Sequence, residues 1–176
     1  MYLISLYFDH VTNKKVQSLV KQVASVTGNT FMLDNNIPPH ITLLAFDIQD
    51  EQRAIRLFEK SVQDLKNGEL LFTSVGVFKK RVLYIEPVLN EYLHNLSMKI
   101  YSNLEGVKDI KFSPYYKPFS WIPHISIGKH LDEVEMEKAL GLIIRKFDVF
   151  TGTVTHIGLA KTNPHRDIRI VELKTK

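Results

Sequence analysis

An α+β fold with mostly antiparallel strands, arranged as two related lobes around a cleft, is predicted by three observations. Pro38-Pro39-His40-Ile41-Thr42-Leu43 and Ile122-Pro123-His124-Ile125-Ser126-Ile127 say nearly the same thing about half a chain length apart. Each motif is followed, at almost the same distance, by a strand carrying a glycine, Gly76 or Gly158, which points to an internal duplication. Strand and helix patterns interleave without the strict βαβ rhythm of a doubly wound sheet. The expected architecture is a single unit over residues 1–176. Its first lobe covers about 1–80 and its second about 81–176, with two mostly antiparallel sheets flanked by helices around the cleft.

Taken in order, Tyr2 to Phe8 alternates as a strand, and Thr12 to Val26 places Val16, Leu19, Val20 and Val23 at amphipathic helical spacing until Gly28 ends it. The first motif reads as a strand running to about Phe46, because a proline opens it and aliphatic residues alternate with polar ones. Asp50 to Lys66 is helical up to Asn67-Gly68. Leu70 to Phe78 and Val82 to Val88 form a hairpin around the basic turn Lys79-Lys80-Arg81. Asn90 to Leu104 is the next helix, and Gly106 to Ser120 is a loop rich in Lys, Pro and aromatics. Phe119 to Gly128 is the second motif strand, Asp132 to Phe147 a helix opened by acidic residues, and Thr153 to Ala160 with Ile168 to Lys174 a final strand pair.

The chain has 176 residues, enough to bury a sizeable core, and at 44% hydrophobic and 24% charged it lies far from the composition of disordered chains. It has no cysteine, which removes disulfides, thiolate catalysis and cysteine-ligated metal. Met1 to Phe8 lacks the basic flank and length of a signal peptide, and no segment approaches a membrane span. A soluble, cytoplasmic protein is expected. The net charge of +4 is compatible with a polyanionic substrate.

On a strand, a residue and the one two positions later share a face, so each motif presents an imidazole beside a hydroxyl. Cleaving a phosphodiester needs a base for the attacking oxygen and an acid for the leaving one, and histidine suits both. A hydroxyl donating to a non-bridging oxygen holds the phosphate while its charge redistributes. His40 with Thr42 and His124 with Ser126 are therefore the expected catalytic residues, bracketing a phosphate. Zinc is the rival use of two histidines, but no third ligand stands at a suitable spacing; no metal or cofactor is expected. Trp121 and the Tyr115-Tyr116 pair are candidates for stacking on a base. Phe46 joins them, sharing a face with His40 if its strand is regular. His130 shares the face of His124 if its strand continues, whereas strict alternation puts Lys129 on the opposite face unless the strand breaks at Gly128. His10, His94, His156 and His165 have no paired pattern and are expected to be surface or structural. Lys79, Lys80 and Arg81 in their turn are usually solvated, with phosphate steering as the functional alternative.

The pair of motifs, their separation and the chain length resemble the two-histidine (2H) phosphoesterase superfamily, which includes bacterial 2'-5' RNA ligases and RNA 2',3'-cyclic phosphodiesterases. The resemblance covers essentially the whole chain but rests on few residues, His40, Thr42, His124 and Ser126. It implies a bilobal duplicated fold and hydrolysis of 2',3'-cyclic phosphates on nucleotides or RNA ends without metal, with 2'-5' ligation as a related activity. Many superfamily members active on RNA carry an arginine soon after the second hydroxyl. This chain has Gly128-Lys129-His130, and lysine neutralises phosphate without arginine's planar two-point contact. A 2'-5' oligonucleotide or an ADP-ribose cyclic phosphate is the alternative substrate, and a non-catalytic nucleotide-binding module the alternative class. A nucleotide or RNA end is the expected partner, and a monomer without protein partners the expected state.

Overall fold

The computed structural model describes residues 1–162 and 164–175. Eight strands and five helices among them follow one another as β1 (Tyr2–Phe8), α1 (His10–Thr27), α2 (Phe31–Asp34), β2 (Ile41–Asp47), α3 (Glu51–Ser61), β3 (Gly68–Phe78), β4 (Val82–Pro87), α4 (Glu91–Leu104), β5 (Lys111–Phe112), a 3-10 turn at Pro114–Tyr116, β6 (Ile125–Lys129), α5 (Glu133–Lys146), β7 (Phe150–Lys161) and β8 (Arg166–Glu172). Every ladder between these strands is antiparallel. The α+β class with antiparallel strands is thus the architecture found.

Helix boundaries follow from capping chemistry. Asp9 accepts the Thr12 N–H at 2.7 Å to start α1, and Gly28, left-handed at φ 79°, stops it. Asp50 and Asn90 cap α3 and α4 in the same way. Asp132 and Glu135 exchange side-chain and backbone bonds at 2.8 Å each in a capping box that opens α5. The third helix ends at Ser61, earlier than its periodicity suggested, because Asp64 turns the chain with a φ of 59°. The short elements α2 and β5 carry no periodic signal of their own.

The strand order is β5-β2-β1-β7-β3-β4-β6, with β8 on β7, so pairing of β3 with β7 joins the two sets of strands into one unbroken sheet. The arms are not the consecutive halves of the chain. Strands β3 and β4 lie either side of residue 80 and pair with each other and, through β4, with β6; β7 and β8 return from the C-terminal side to join β1 and β2. The helices cross in the same way: α1 packs on β6 and α5 on β4, while α4 packs on β2 and α3 packs against α4. Strand β3 and helix α1 of the first half join the arm of β4 and β6, strands β5, β7 and β8 and helix α4 of the second half join the arm of β1 and β2, and the core they bury together, including Ile4, Phe58, Phe72, Leu83, Ile127 and Ile157, is continuous. No helix among the described residues is long and apolar enough to cross a membrane.

Candidate active site

His40 and His124 each sit one residue ahead of their strands, the second strand being shorter at its start than its sequence suggests. In each motif a proline precedes the histidine. It fixes its own φ and holds the residue before it, Pro38 or Ile122, in an extended conformation. The carbonyl of that residue then faces the imidazole: His40 Nδ1 lies 2.8 Å from the Pro38 oxygen, and His124 Nδ1 lies 2.8 Å from the Ile122 oxygen. A carbonyl only accepts, so Nδ1 carries the proton in both rings and the neutral imidazole offers Nε2 as its free basic nitrogen. The Pro-His pair in the sequence is thus a device for setting a tautomer.

The four expected catalytic residues meet. His40, Thr42, His124 and Ser126 line one cleft of about 230 Å³ together with Leu3, Tyr116 and Lys129. The Thr42 hydroxyl lies 3.4 Å from that of Ser5 on the neighbouring strand. Toward one end the cleft continues into a pocket of about 390 Å³ walled by Phe78, Val82, Tyr115, Tyr116 and Ile122. Toward the other lies a space of about 470 Å³ bordered by Phe31, Asn35, His130 and His165. Lys129 borders all three.

One irregularity, occurring twice, decides which neighbours join the site. In β2, Thr42 faces Ser5 and Leu44 faces Ile4, leaving Leu43 as an extra residue; in β6, Ser126 faces Tyr84 and Gly128 faces Leu83, leaving Ile127 extra. Each bulge follows its motif hydroxyl directly, and both extra side chains are buried. A bulge shifts the two-residue alternation by one. In the first motif this turns Phe46 away from His40 into the core, where it is 0% exposed and stacks on Tyr2 at 5.8 Å. In the second it carries Lys129 onto the face of His124, correcting the expectation from strict alternation. Phe46 is therefore excluded from substrate contact.

Trp121, expected to stack on a base, is 9% exposed, packs in the core and borders none of the three spaces. Tyr115 is 65% exposed at the rim of the 390 Å³ pocket. His130 takes a left-handed φ of 58° and lies edge-on to Phe31 at 4.3 Å, beside the cleft rather than in it.

Four residues that support the histidines were not anticipated. Tyr84 lies 5.2 Å from His124, and Phe78 lies 4.7 Å from the same ring and 4.2 Å from Tyr84. Tyr7 lies 6.4 Å from His40 in the matching place. His165, expected at the surface, stacks on His40 at 5.8 Å; its Nε2 is 3.2 Å from Asp167, which also accepts the Tyr7 hydroxyl at 2.7 Å. The duplicated glycines explain the tyrosines. A Cβ at Gly76 would strike the Tyr84 ring, and a Cβ at Gly158 would strike Tyr7. Each glycine thus makes room for the tyrosine behind the histidine of the other half. Gly76→Ala is expected to lower stability by about 1–3 kcal/mol through overpacking and to lower turnover by displacing Tyr84 from His124. Thermal melts and kinetics of the variant check both effects.

Burial pushes the His40 imidazole down to about 4, and the Lys129 ammonium adds to the shift; the Pro38 carbonyl opposes it. Burial and Lys129 also lower His124, against the Ile122 carbonyl, and burial lowers Lys129 itself. An imidazole in an unfolded chain titrates near 6.5, so as pH falls the unfolded state takes up its proton first. His40 therefore contributes stability that is fully present above about pH 6.5 and is lost on the way down to about pH 4. Comparing urea unfolding at pH 7 and pH 4.5, the wild type is expected to lose about 2 kcal/mol more than His40→Asn. Equal losses would mean that the imidazole is solvated in the folded state.

Two His-x-hydroxyl motifs, each opening a strand, thus face one cleft. A sequence model described as the 2'-5' RNA ligase superfamily matches residues 13–166. The chain belongs to that superfamily. Among solved structures, members of this fold include a phosphoesterase with 13% identity over 98% of each chain and a TM-score of 0.65. TT0787 of Thermus thermophilus is 13% identical, covering 99% of this chain and 98% of that one at a TM-score of 0.66. Escherichia coli LigT, solved in complex with 3'-AMP, is 13% identical, covering 98% of this chain and 97% of that one at 0.60. At such identities the likeness is one of fold. No curated protein sequence matches this chain. Within the 2'-5' RNA ligase superfamily, also called the 2H phosphoesterases, the mixed helical and antiparallel fold is thus accounted for.

Proposed function

We propose that this superfamily member is a metal-independent phosphodiesterase that opens 2',3'-cyclic phosphates of nucleotides or RNA ends, with His40 and His124 as acid and base. The observation that carries this reading is the pair of imidazoles in one cleft, each with Nδ1 bonded to a carbonyl and Nε2 left free. One Nε2 takes a proton from water as its oxygen attacks phosphorus. The other, entering as imidazolium, protonates the departing O2' or O3' of the ribose, so the bond to that oxygen breaks and a monoester remains. Thr42 and Ser126 donate to the non-bridging oxygens, and Lys129 offsets the added negative charge. With a ribose 5'-hydroxyl attacking phosphorus in place of water and O3' departing, the same ring opening joins two ends through a 2'-5' linkage.

Both imidazoles rest neutral at pH 7, given the downward shifts on each. The anionic substrate restores the proton one of them needs, because a phosphate beside an imidazole favours its charged form. Escherichia coli LigT, which shares this fold, was solved with 3'-AMP, a nucleoside phosphate. Among the described residues no group of three His, Cys, Asp or Glu side chains is arranged to hold a metal. The test is incubation with 2',3'-cyclic nucleotides in excess EDTA and identification of products by chromatography and mass. A nucleoside monophosphate is expected, and its 2' or 3' position assigns acid and base. Saturable binding without product would make the chain a nucleotide-binding module instead, and activity abolished by EDTA and restored by zinc would overturn the metal-free mechanism.

A further inference from the structure

The hairpin of β3 and β4 closes through Lys79 and Lys80, both left-handed at φ 48° and 59°, with the Arg81 N–H donating to the Phe78 carbonyl at 3.0 Å. A two-residue turn of this hand is least strained as Asn-Gly, and the left-handed conformation is unfavourable for a residue with an ordinary side chain. Of the other left-handed residues, Asn36, Asp64, Asp109 and His130 are of types enriched in that conformation, and Phe119 stands alone in its loop. Two successive lysines are not of those types, and strain held at a surface turn points to use.

Both lysines are exposed, and neither forms an ion pair among the described residues. The Lys79 ammonium instead lies 4.9 Å from the ring of Tyr115. That contact crosses the rim of the 390 Å³ pocket, whose inner end is His124, Ser126 and Lys129. The residue before the turn, Phe78, touches His124 edge-on at 4.7 Å. One unneutralised cation, Lys79, therefore stands at the outer end of an apolar pocket whose inner end holds the proposed reacting phosphate, and Lys80 follows it in the exposed turn.

Resting on the proposed function, we infer that the Lys79-Lys80 turn is a subsite for the phosphodiester next to the reacting one. The cleft then takes a single-stranded oligonucleotide by its end, the terminal base lying in the apolar pocket under Lys79 and Tyr115. Lys129 serves the reacting phosphate, and the turn serves its neighbour.

The test uses binding, so that it does not depend on turnover. A fluorescein-labelled RNA tetranucleotide ending in a 2'-phosphate and a nucleoside 2'-monophosphate are titrated into wild type and Lys79→Asn/Lys80→Gly across a range of KCl. The wild type is expected to prefer the tetranucleotide, and the variant to lose about tenfold of that preference while its salt slope falls by about 0.7 per lysine removed. Because Asn-Gly relieves the turn, the variant's Tm is expected to rise as affinity falls. If Tm falls instead, Lys79→Gln and Lys80→Gln, which keep the turn, carry the affinity comparison. A wild type that binds both ligands equally, or variants with unchanged preference and salt slope, would overturn the subsite. Tight tetranucleotide binding without hydrolysis of any cyclic phosphate would instead sink the enzymatic reading and leave the subsite standing.

Discussion

His40→Ala and His124→Ala are each expected to lower kcat for a 2',3'-cyclic phosphate by about 10²–10⁴-fold, the range a positioned acid or base supplies, while both proteins remain folded. The loss is large because no other described side chain stands ready to replace either ring. His165 is nearest to His40, but its Nε2 is turned toward Asp167 at 3.2 Å. Tyr7 and Tyr84 have their phenols held protonated: burial raises both, and Asp167 adds to the effect at Tyr7. The fold survives because each imidazole makes a single hydrogen bond, to a carbonyl in its own motif, and the aliphatic residues of both strands hold the core without it. Far-ultraviolet circular dichroism and thermal melts establish the fold, and turnover of the cyclic substrate measures the loss. Near wild-type activity in either variant would remove that histidine from the reaction.

Lys129→Met is expected to lower kcat/KM by about 10²–10³-fold, comparable to removing a principal donor from a site that stabilises developing charge. Lys129 is the cation that borders the cleft and both spaces beside it, and it is partly buried, where a charge acts more strongly than in water. Its removal has a second signature. Lys129 lowers the pKa of both histidines, so without it both rise, and the whole pH profile is expected to move toward higher pH. Loss of activity at an unmoved profile would place Lys129 in substrate binding with no electrostatic hold on the imidazoles.

The two motifs were legible because their chemistry is local: Pro-His sets the ring, and the hydroxyl two residues on shares its face. Duplication was legible in the same way, down to the spacing of Gly76 and Gly158. What those glycines do was not, since Gly76 makes room for Tyr84 behind His124 and Gly158 for Tyr7 behind His40. For Gly158 that contact depends on the long-range pairing of β7 with β1, which local periodicity does not encode, whereas Gly76 faces Tyr84 directly across the β3–β4 hairpin. The bulges at Leu43 and Ile127 were hidden because an extra buried aliphatic residue reads as a continuing strand. One hidden residue in each motif accounts for both the wrong place given to Phe46 and the wrong face given to Lys129. Trp121 and Tyr115 differ for a simpler cause: burial of an aromatic in a loop is set by whatever packs over it. His165 reaches His40 through β8, whose pairing with β7 brings it back across the sheet.

The most direct test of the central claim, that the two histidines trade a proton across one phosphate, is kcat/KM against pH for wild type, His40→Ala and His124→Ala on one cyclic nucleotide. The wild type is expected to give a bell. Each variant is expected to keep only residual activity and to lose one limb, the limb differing between the two. A wild-type profile without two limbs, or variants that lose the same limb or neither, would contradict the account.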